Sequence, residues 1–495
     1  MILSYTLENN LKIIIPEIFL FSSIVVLLFF GCFIGLSLIF RYPLLNSIIS
    51  KVLVLILILS AVLIINNPVA NGYCFNGCVN IDDASFFVKL SIIFSSICCF
   101  SISNNYIKIY QINNFEFFIV IALAIFGLNL LVMSSDFLTS YIVLELQSFC
   151  FYILAAFKRS SAYSTEAGLK YFLLGSFSST LLVFGITLIY GIFGTVNFSL
   201  LHLIIFENNN LFFFDKLGFI FIFVGLLFKL AAAPFHIWSP DVYEGSPLIS
   251  TIFFAVIPKI SILLFTFRVF SVISDKTNFF VSIFLISSIF SVIVGSLVTL
   301  KQKRLKKLLA YSSVNHVGYL LLGVSIFSIE SISAVFFYVL SYMVTSLCIW
   351  SIVFSLQPAR VLSYRTFNLV DFGAVLKTNL LLACIFGICL FSMAGVPPFV
   401  GFYAKFNIFQ SAVNAGFILI ACFIILMSVI STFYYIRLIK STFFENSIKK
   451  WFFFAPVNSS HAVVMSITFL LLWVLFFNPL ILDLISYKIV LALIF

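Results

Sequence analysis

Residues 225–247 read "GLLFKLAAAPFHIWSPDVYEGSP". Lys229 stands inside an apolar run, and Pro234 breaks that run five residues later. A cation held where lipid should be is expensive, and such groups mark pathways for ions or protons. Proline removes one backbone N–H and frees a carbonyl a turn earlier, which opens a place for water. His236, Asp241 and Glu244 follow at once. Asp241 and Glu244 lie just past Trp238, where an anchored helix end is the expected role. The stretch reads as an interrupted membrane helix built around a lysine.

The rest of the chain supports that reading. Its 495 residues are 63% hydrophobic and 9% charged, with a mean hydropathy of +1.23. A soluble core cannot absorb so much apolar surface, and the long continuous runs exclude the short alternating strands of a membrane barrel. The fold class is therefore an all-α polytopic membrane protein. Hydropathy marks spans near 13–40, 46–66, 84–103, 116–133, 137–157, 166–191, 216–237, 249–270, 279–300, 308–327, 331–356, 376–397, 398–440 and 463–485. The 398–440 stretch reads as the second half of a broken helix followed by a full span from about 414, and 198–206 as an interfacial amphipathic piece. The N-terminus lacks the basic start of a secretory signal and the Arg/Ser-rich character of a transit peptide, so the first helix is expected to stay. The 66 phenylalanines suit an AT-rich organellar genome.

Charge orients these spans. Loops after odd-numbered spans carry 17 basic residues, loops after even-numbered spans and the termini carry 6, and the other 4 of the 27 lie within spans. The positive-inside rule places the odd side in the cytoplasm or matrix. The net charge of +10 thus reports topology, and "KQKRLKKLL" (301–309) reads as a short basic loop rather than a nucleic-acid patch. Of the ten cysteines, Cys98, Cys99, Cys150, Cys384 and Cys389 sit in apolar runs as small hydrophobes. Cys74 and Cys78 share a polar loop, where a disulfide and two free thiols both fit. No zinc, iron–sulfur, phosphate-loop or dinucleotide motif is present.

The spans hold Glu17, Glu145, Lys170, Lys229, Lys259 and Lys405. Glu17 and Lys170 are near enough to span ends to snorkel. Glu145, in "TSYIVLELQSFCFYIL", lies deep. Burial disfavours a charged lysine and a nearby carboxylate favours it, so Lys229 with Glu145 makes a proton-relay station whose occupancy follows the carboxylate. "FSMAGVPPFVGFYAKFNIFQ" (391–410) supplies a second interruption at Pro397 and Pro398, with Lys405 close behind and 176 residues from Lys229 (405 − 229). Paired interruptions point to inverted-repeat transporter architecture. Lys259 follows Pro258, and His316, in "AYSSVNHVGYLL", titrates near neutrality and is either a carrier or a hydrogen-bonded interior histidine.

These stretches, with "LELQSFCFYILAAFKRSSAYSTEAGLKYFLLGSFSS" and "KRLKKLLAYSSVNHVGY", resemble the subunit 2 family of NADH–ubiquinone oxidoreductase, core membrane subunits of respiratory complex I. The likeness runs from about residue 115 to 440, and "PFHIWSPDVYEGSP" is its most specific part. It implies an antiporter-like fold of about fourteen transmembrane helices: helices 1–3 in 1–115, a first five-helix repeat in 116–270, a second in 279–440, and helix 14 in 441–495. It implies a proton relay through Glu145 on the fifth helix, Lys170 on the sixth, Lys229 on the broken seventh, Lys259 on the eighth, His316, and Lys405 on the broken twelfth. Lys405 favours subunit 2 over the subunit 4 type, which is generally glutamate-bearing there. "PEIFLF" (16–21) is similar to plant and algal-like members, whereas animal members lack the first three helices. The resemblance implies a mitochondrial inner-membrane subunit with matrix-facing basic loops. Its partners would be subunit 4, subunit 4L, accessory subunits and lipids such as cardiolipin, with no nucleic acid. It would bind no cofactor itself; NADH, FMN, iron–sulfur clusters and ubiquinone would belong to other subunits. Two rivals stay open: a cation/proton antiporter subunit, marked by sodium-dependent transport, and a scaffold whose buried charges are relics.

Overall fold

The computed structural model describes residues 10–35, 43–67, 72–110, 114–207, 212–273, 278–356, 368–445 and 456–494. Of the loop cations counted above, Arg41, Lys276, Arg360, Arg365, Lys449 and Lys450 lie outside them. In hydrocarbon every backbone donor and acceptor must find a partner within the chain, so apolar runs become helices. The helices are α1 (Ile15–Gly35), α2 (Pro43–Ile65), α3 (Asp83–Tyr110), α4 (Glu116–Met133), α5 (Phe137–Ala156), α6 (Ala162–Phe193), α7 (Phe198–Glu207), α8 (Phe213–Leu230), α9 (Trp238–Gly245) and α10 (Leu248–Val272). They continue with α11 (Asn278–Lys301), α12 (Leu305–Ile326), α13 (Ile329–Ser355), α14 (Leu380–Ala394), α15 (Val400–Asn414), α16 (Ile418–Phe443), α17 (Ser459–Phe477) and α18 (Leu480–Ile494). Among the described residues twelve of these are long and apolar enough to cross a membrane. The interrupted pairs α8–α9 and α14–α15 supply two further crossings, which agrees with the fourteen read from hydropathy.

The same order of elements occurs twice. Three helices, an interrupted helix and a further helix run from α4 to α10, and again from α11 to α16. The last expected span differs: Ser459–Phe477 and Leu480–Ile494 are separate helices, because Asn478 leaves the helical region (φ −138, ψ 81) and Pro479 cannot continue the ladder. The piece read as interfacial is the ten-residue α7, which buries Phe198, Leu201 and Ile205 on one face.

Packing divides the chain into two units. The first comprises Met1–Lys229, Ile257–Thr277 and Lys488–Phe495; the second comprises Leu230–Val256 and Asn278–Tyr487. In the first unit a two-stranded hairpin, β1 (Gly72–Cys74) and β2 (Val79–Ile81), caps one end. Its turn is tied down by Ser135 Oγ and Asn197 Nδ2, both donating to the Gly77 carbonyl at 2.5 and 2.9 Å. Asp82 caps α3 through the Ser85 N–H (2.7 Å) and takes two hydrogen bonds from Arg268 Nη2, at 2.6 and 2.8 Å. Arg268 Nη1 also reaches the Ser134 carbonyl at 3.2 Å. One guanidinium thus joins α10, the start of α3 and the end of α4. Cys74 and Cys78 are free thiols, and Cys78 lies against Asp136.

Candidate functional site

Helix α8 ends at Leu230, and Ala231 then takes a left-handed backbone (φ 59). Pro234 prevents the helix from resuming until Trp238. Lys229 is therefore the second-last residue of a half-helix, at the end where unpaired carbonyls favour a cation. Within the first unit Glu145 on α5 is the carboxylate that acts electrostatically on Lys229. Glu145 Oε1 is buried without a hydrogen bond, and Oε2 takes only a long 3.4 Å contact from Ser148. Glu145 thus acts on a half-buried lysine without pairing with it directly, and keeps one oxygen unbonded. Lys259, on α10 after Pro258, is buried, whereas Lys229 is half-buried. Lys170 is different: it pairs with Glu166 at 2.8 Å on an exposed face of α6.

The second interruption lies wholly in the second unit. Helix α14 ends in a Schellman-type turn, with Gly395 left-handed (φ 79) and the N–H groups of Gly395 and Val396 bonding to Phe391 and Ser392 carbonyls. Those bonds leave the Ala394 carbonyl open. Lys405, one turn into α15, donates to it at 2.7 Å, and its ammonium lies 5.3 Å from the centre of the Tyr319 ring. The interruption thus creates the acceptor that holds the lysine. A Cβ on Gly395 would stand 2.9 Å from Lys405 Cδ and 3.0 Å from Nζ.

Lys405 and His316 line one cavity of about 20 Å³, together with Tyr338, Tyr342, Thr345 and Ser392. A water needs about 10–15 Å³ and polar partners, and the buried Ser392 hydroxyl has no other partner. His316 is held by two tyrosines, Nδ1 to the Tyr338 hydroxyl at 2.6 Å and Nε2 to the Tyr435 hydroxyl at 2.9 Å. Asn315 Nδ2 donates to the hydroxyls of Tyr319 (3.3 Å) and Tyr434 (3.4 Å).

Asp241 and Glu244 serve as the anchor expected of them. Glu244 pairs with Arg304 and with Lys307 (3.0 Å), Asp241 lies 3.6 Å from Lys307, and Lys306 donates to the Ser246 carbonyl at 2.7 Å. They fix α9 to the first turn of α12, the helix that carries His316.

Three features escaped the sequence reading. Glu17, taken as a residue able to snorkel, is buried and paired at 2.7 Å with Lys89, which was counted among the loop cations but is buried inside α3. The second is the register of the two lysines. The left-handed residues that close α8 and α14 are 164 apart (395 − 231), as are Pro234 and Pro398. Lys229 and Lys405 are 176 apart, so they lie on opposite sides of their breaks and are not equivalent positions. The tyrosines around His316 were also overlooked, although "FFYVLSYMVTS" and "FYYIR" hold three of them in plain view.

The architecture and the lysines at paired helix breaks define an antiporter-like membrane protein. Residues 134–431 match the family described as "NADH:quinone oxidoreductase/Mrp antiporter, TM". The chain is 37% identical over 493 residues to NADH-ubiquinone oxidoreductase chain 2 of Marchantia polymorpha, covering 98% of this chain and 99% of that one. It is 37% identical over 439 residues to NADH-quinone oxidoreductase subunit N of Pelagibacter ubique, covering 88% and 90%. A chain of respiratory complex I from Thermus thermophilus superimposes with a TM-score of 0.77 at 26% identity, over 94% of this chain and 98% of that one. A chain of the Mrp complex from Dietzia shares the fold at a TM-score of 0.81 and 18% identity, over 98% and 100%. The chain belongs to the NADH:quinone oxidoreductase/Mrp antiporter membrane family, and within it to the chain 2 and subunit N members. The match to the Marchantia chain extends the likeness well beyond 115–440, into the first three helices.

Proposed function

We propose that this chain is a proton-translocating membrane-arm subunit of NADH:ubiquinone oxidoreductase, with residues 116–270 and 279–440 as its two antiporter-like repeats, residues 1–115 as the helices before them and 441–495 as the segment after. NADH, FMN, iron–sulfur clusters and ubiquinone act in other subunits. The observation that carries the reading is the siting of a lysine at both helix breaks, the half-buried Lys229 under the electrostatic influence of Glu145 and the buried Lys405 on the freed Ala394 carbonyl. A signal from quinone chemistry shifts Glu145 relative to Lys229 and changes that lysine's hold on its proton. The proton passes by way of Lys259 to the His316–Lys405 group and leaves to the intermembrane space. Lys170, on an exposed face, feeds this line from a neighbouring subunit of the membrane arm. Subunit 4, subunit 4L and accessory subunits are the neighbours, cardiolipin is among the lipids, and the basic loops face the matrix of a mitochondrion.

The test is NADH-driven proton uptake in sealed vesicles carrying Lys229→Ala in a tractable homologue with the complex assembled. Loss of uptake, with electron transfer from NADH to an artificial acceptor retained, is the expected result. Unchanged protons per electron would make Lys229 structural and bring the scaffold reading forward.

A further inference from the structure

The second helix break borders a larger cavity than the one at Lys405. It measures about 150 Å³ and lies within the second unit, between α14, the residues of the break and α17. The helix that would fill this space is interrupted between Ala394 and Val400. Phe399, Leu472, Trp473 and Phe476 wall it together with Pro398 and Ser392, and apart from Ser392 every lining side chain is aliphatic or aromatic. Phe476 stands edge-on to Trp473, ring centres 5.8 Å apart, and lies 6.5 Å from Phe399. Pro398 and Trp473 are exposed, so the cavity is reached from the hydrocarbon.

Ser392 is 3% exposed, and its hydroxyl has no partner within the protein. A buried hydroxyl left unpaired is costly. Water does not suit the large cavity, because it needs two to four polar groups around it, whereas a dry apolar space of this size takes a benzene-sized ring. A lipid acyl chain fills apolar space but brings nothing for the hydroxyl. One ring and one hydrogen-bonding group satisfy the site. We propose that this cavity binds a small single-ring lipophilic alcohol, its ring among Phe399, Leu472, Trp473 and Phe476 and its hydroxyl on Ser392.

Ser392 also lines the small cavity of Lys405 and His316. A serine hydroxyl has one hydrogen to donate. An alcohol that accepts it takes it from water in the small cavity, so occupancy on the lipid-facing side is felt beside Lys405. This consequence, unlike the binding itself, rests on the proton-pumping reading above.

The experiment uses the assembled complex of a tractable homologue in lipid vesicles. The probe is a cyclohexanol with a diazirine at the ring carbon opposite the hydroxyl, and labelled peptides are read by mass spectrometry. Label is expected on the peptides that hold Phe399 and Trp473. Unlabelled cyclohexanol should compete about fivefold better than cyclohexane at equal concentration in the membrane, the margin of one hydrogen bond. Ser392→Ala should keep the label and make the two competitors equal. Leu472→Trp fills the cavity and should lower labelling about tenfold, with NADH oxidation by an artificial acceptor confirming assembly. Equal competition in the wild type would overturn the proposal and leave an apolar space that acyl chains fill; label spread evenly over the exposed helices would overturn it too. Cyclohexanol should also lower the protons pumped per electron in the wild type, with cyclohexane and Ser392→Ala showing no such effect. Selective labelling with unchanged pumping would overturn the link to Lys405 and leave the site. Full pumping by Lys405→Ala would remove the proton reading, with the site still judged by labelling.

Discussion

Gly395→Ala tests the geometry that places Lys405. Gly395 has φ 79, where an L side chain costs roughly 1–2 kcal/mol. The new Cβ would also meet Lys405 at 2.9 Å from Cδ, 3.0 Å from Nζ and 3.2 Å from Cε, well inside the 3.4 Å at which ordinary contact begins. The lysine side chain must retreat by about 0.5 Å along most of its length. Its 2.7 Å bond to Ala394 then lengthens past about 3.2 Å, and a charged hydrogen bond of about 1.5–3 kcal/mol is weakened. Gly416 isolates the two contributions: it is left-handed as well (φ 84), but a Cβ there meets nothing within 4 Å. Gly416→Ala should therefore cost the backbone strain alone, about 1–2 kcal/mol, and pump normally. Gly395→Ala should cost about twice as much and lower the protons pumped per electron. Thermal denaturation of the assembled complex and NADH-driven uptake in vesicles give the two readouts. Equal behaviour of the two variants in both assays would refute the claim that Gly395 exists to make room for the lysine.

Three further outcomes are expected. Lys89→Met, which strands Glu17 in a buried site, should destabilise the complex by about 3–5 kcal/mol, whereas Glu17→Leu with Lys89→Met should recover most of it; thermal melts of the three chains decide this. Asp82→Ala should cost a similar amount, because it leaves the buried Arg268 guanidinium without its carboxylate, and the melting temperature should fall accordingly. The Cys78 thiol is pushed up to about 11, chiefly by its hydrogen bond to Asp136, then by burial and by that carboxylate's charge. A raised value keeps the thiol protonated, so at pH 8 its thiolate is about a hundredfold scarcer than that of an ordinary thiol and alkylation is slow until pH approaches 11. Asp136→Asn should speed alkylation of the Cys78 peptide about tenfold at pH 8, read by mass spectrometry; an unchanged rate would dissociate the thiol from Asp136.

What could be read from the sequence was what hydrocarbon makes costly. A lysine beside a proline inside an apolar run carries its meaning locally, and so Lys229–Pro234 and Pro397–Lys405 stood out at once. Pairings between distant positions left no such mark. Glu17 and Lys89 are 72 residues apart, and nothing in either helix tells which face turns inward, since both helices are apolar nearly all round. For the same reason Lys89 was counted with the loops: three or four residues from a span end separate a snorkelling lysine from a buried one, and only the position of Glu17 decides. The tyrosines on α13 and α16 drew no reading, because a hydroxyl in a span is informative only once the histidine it bonds is located.

The register of the two breaks bears on how such a chain could have direction. Aligned on Ala231 and Gly395, the position equivalent to Lys405 is Asp241 (405 − 164). The backbone device was kept in both halves, and the charges around it were not. Before the first break a lysine faces a carboxylate with a free oxygen; beyond the second a lysine rests on a neutral carbonyl and an aromatic ring, beside a cavity fit for water. At the Asp241 position the first half instead spends its charge on holding α9 to α12 through Lys307. Two identical half-sites would hold a proton equally well and give it no preferred order of residence. Under the proposed function, a lysine that answers to a carboxylate, followed by one that does not, would make the first the site a signal can act on and the second the site that receives.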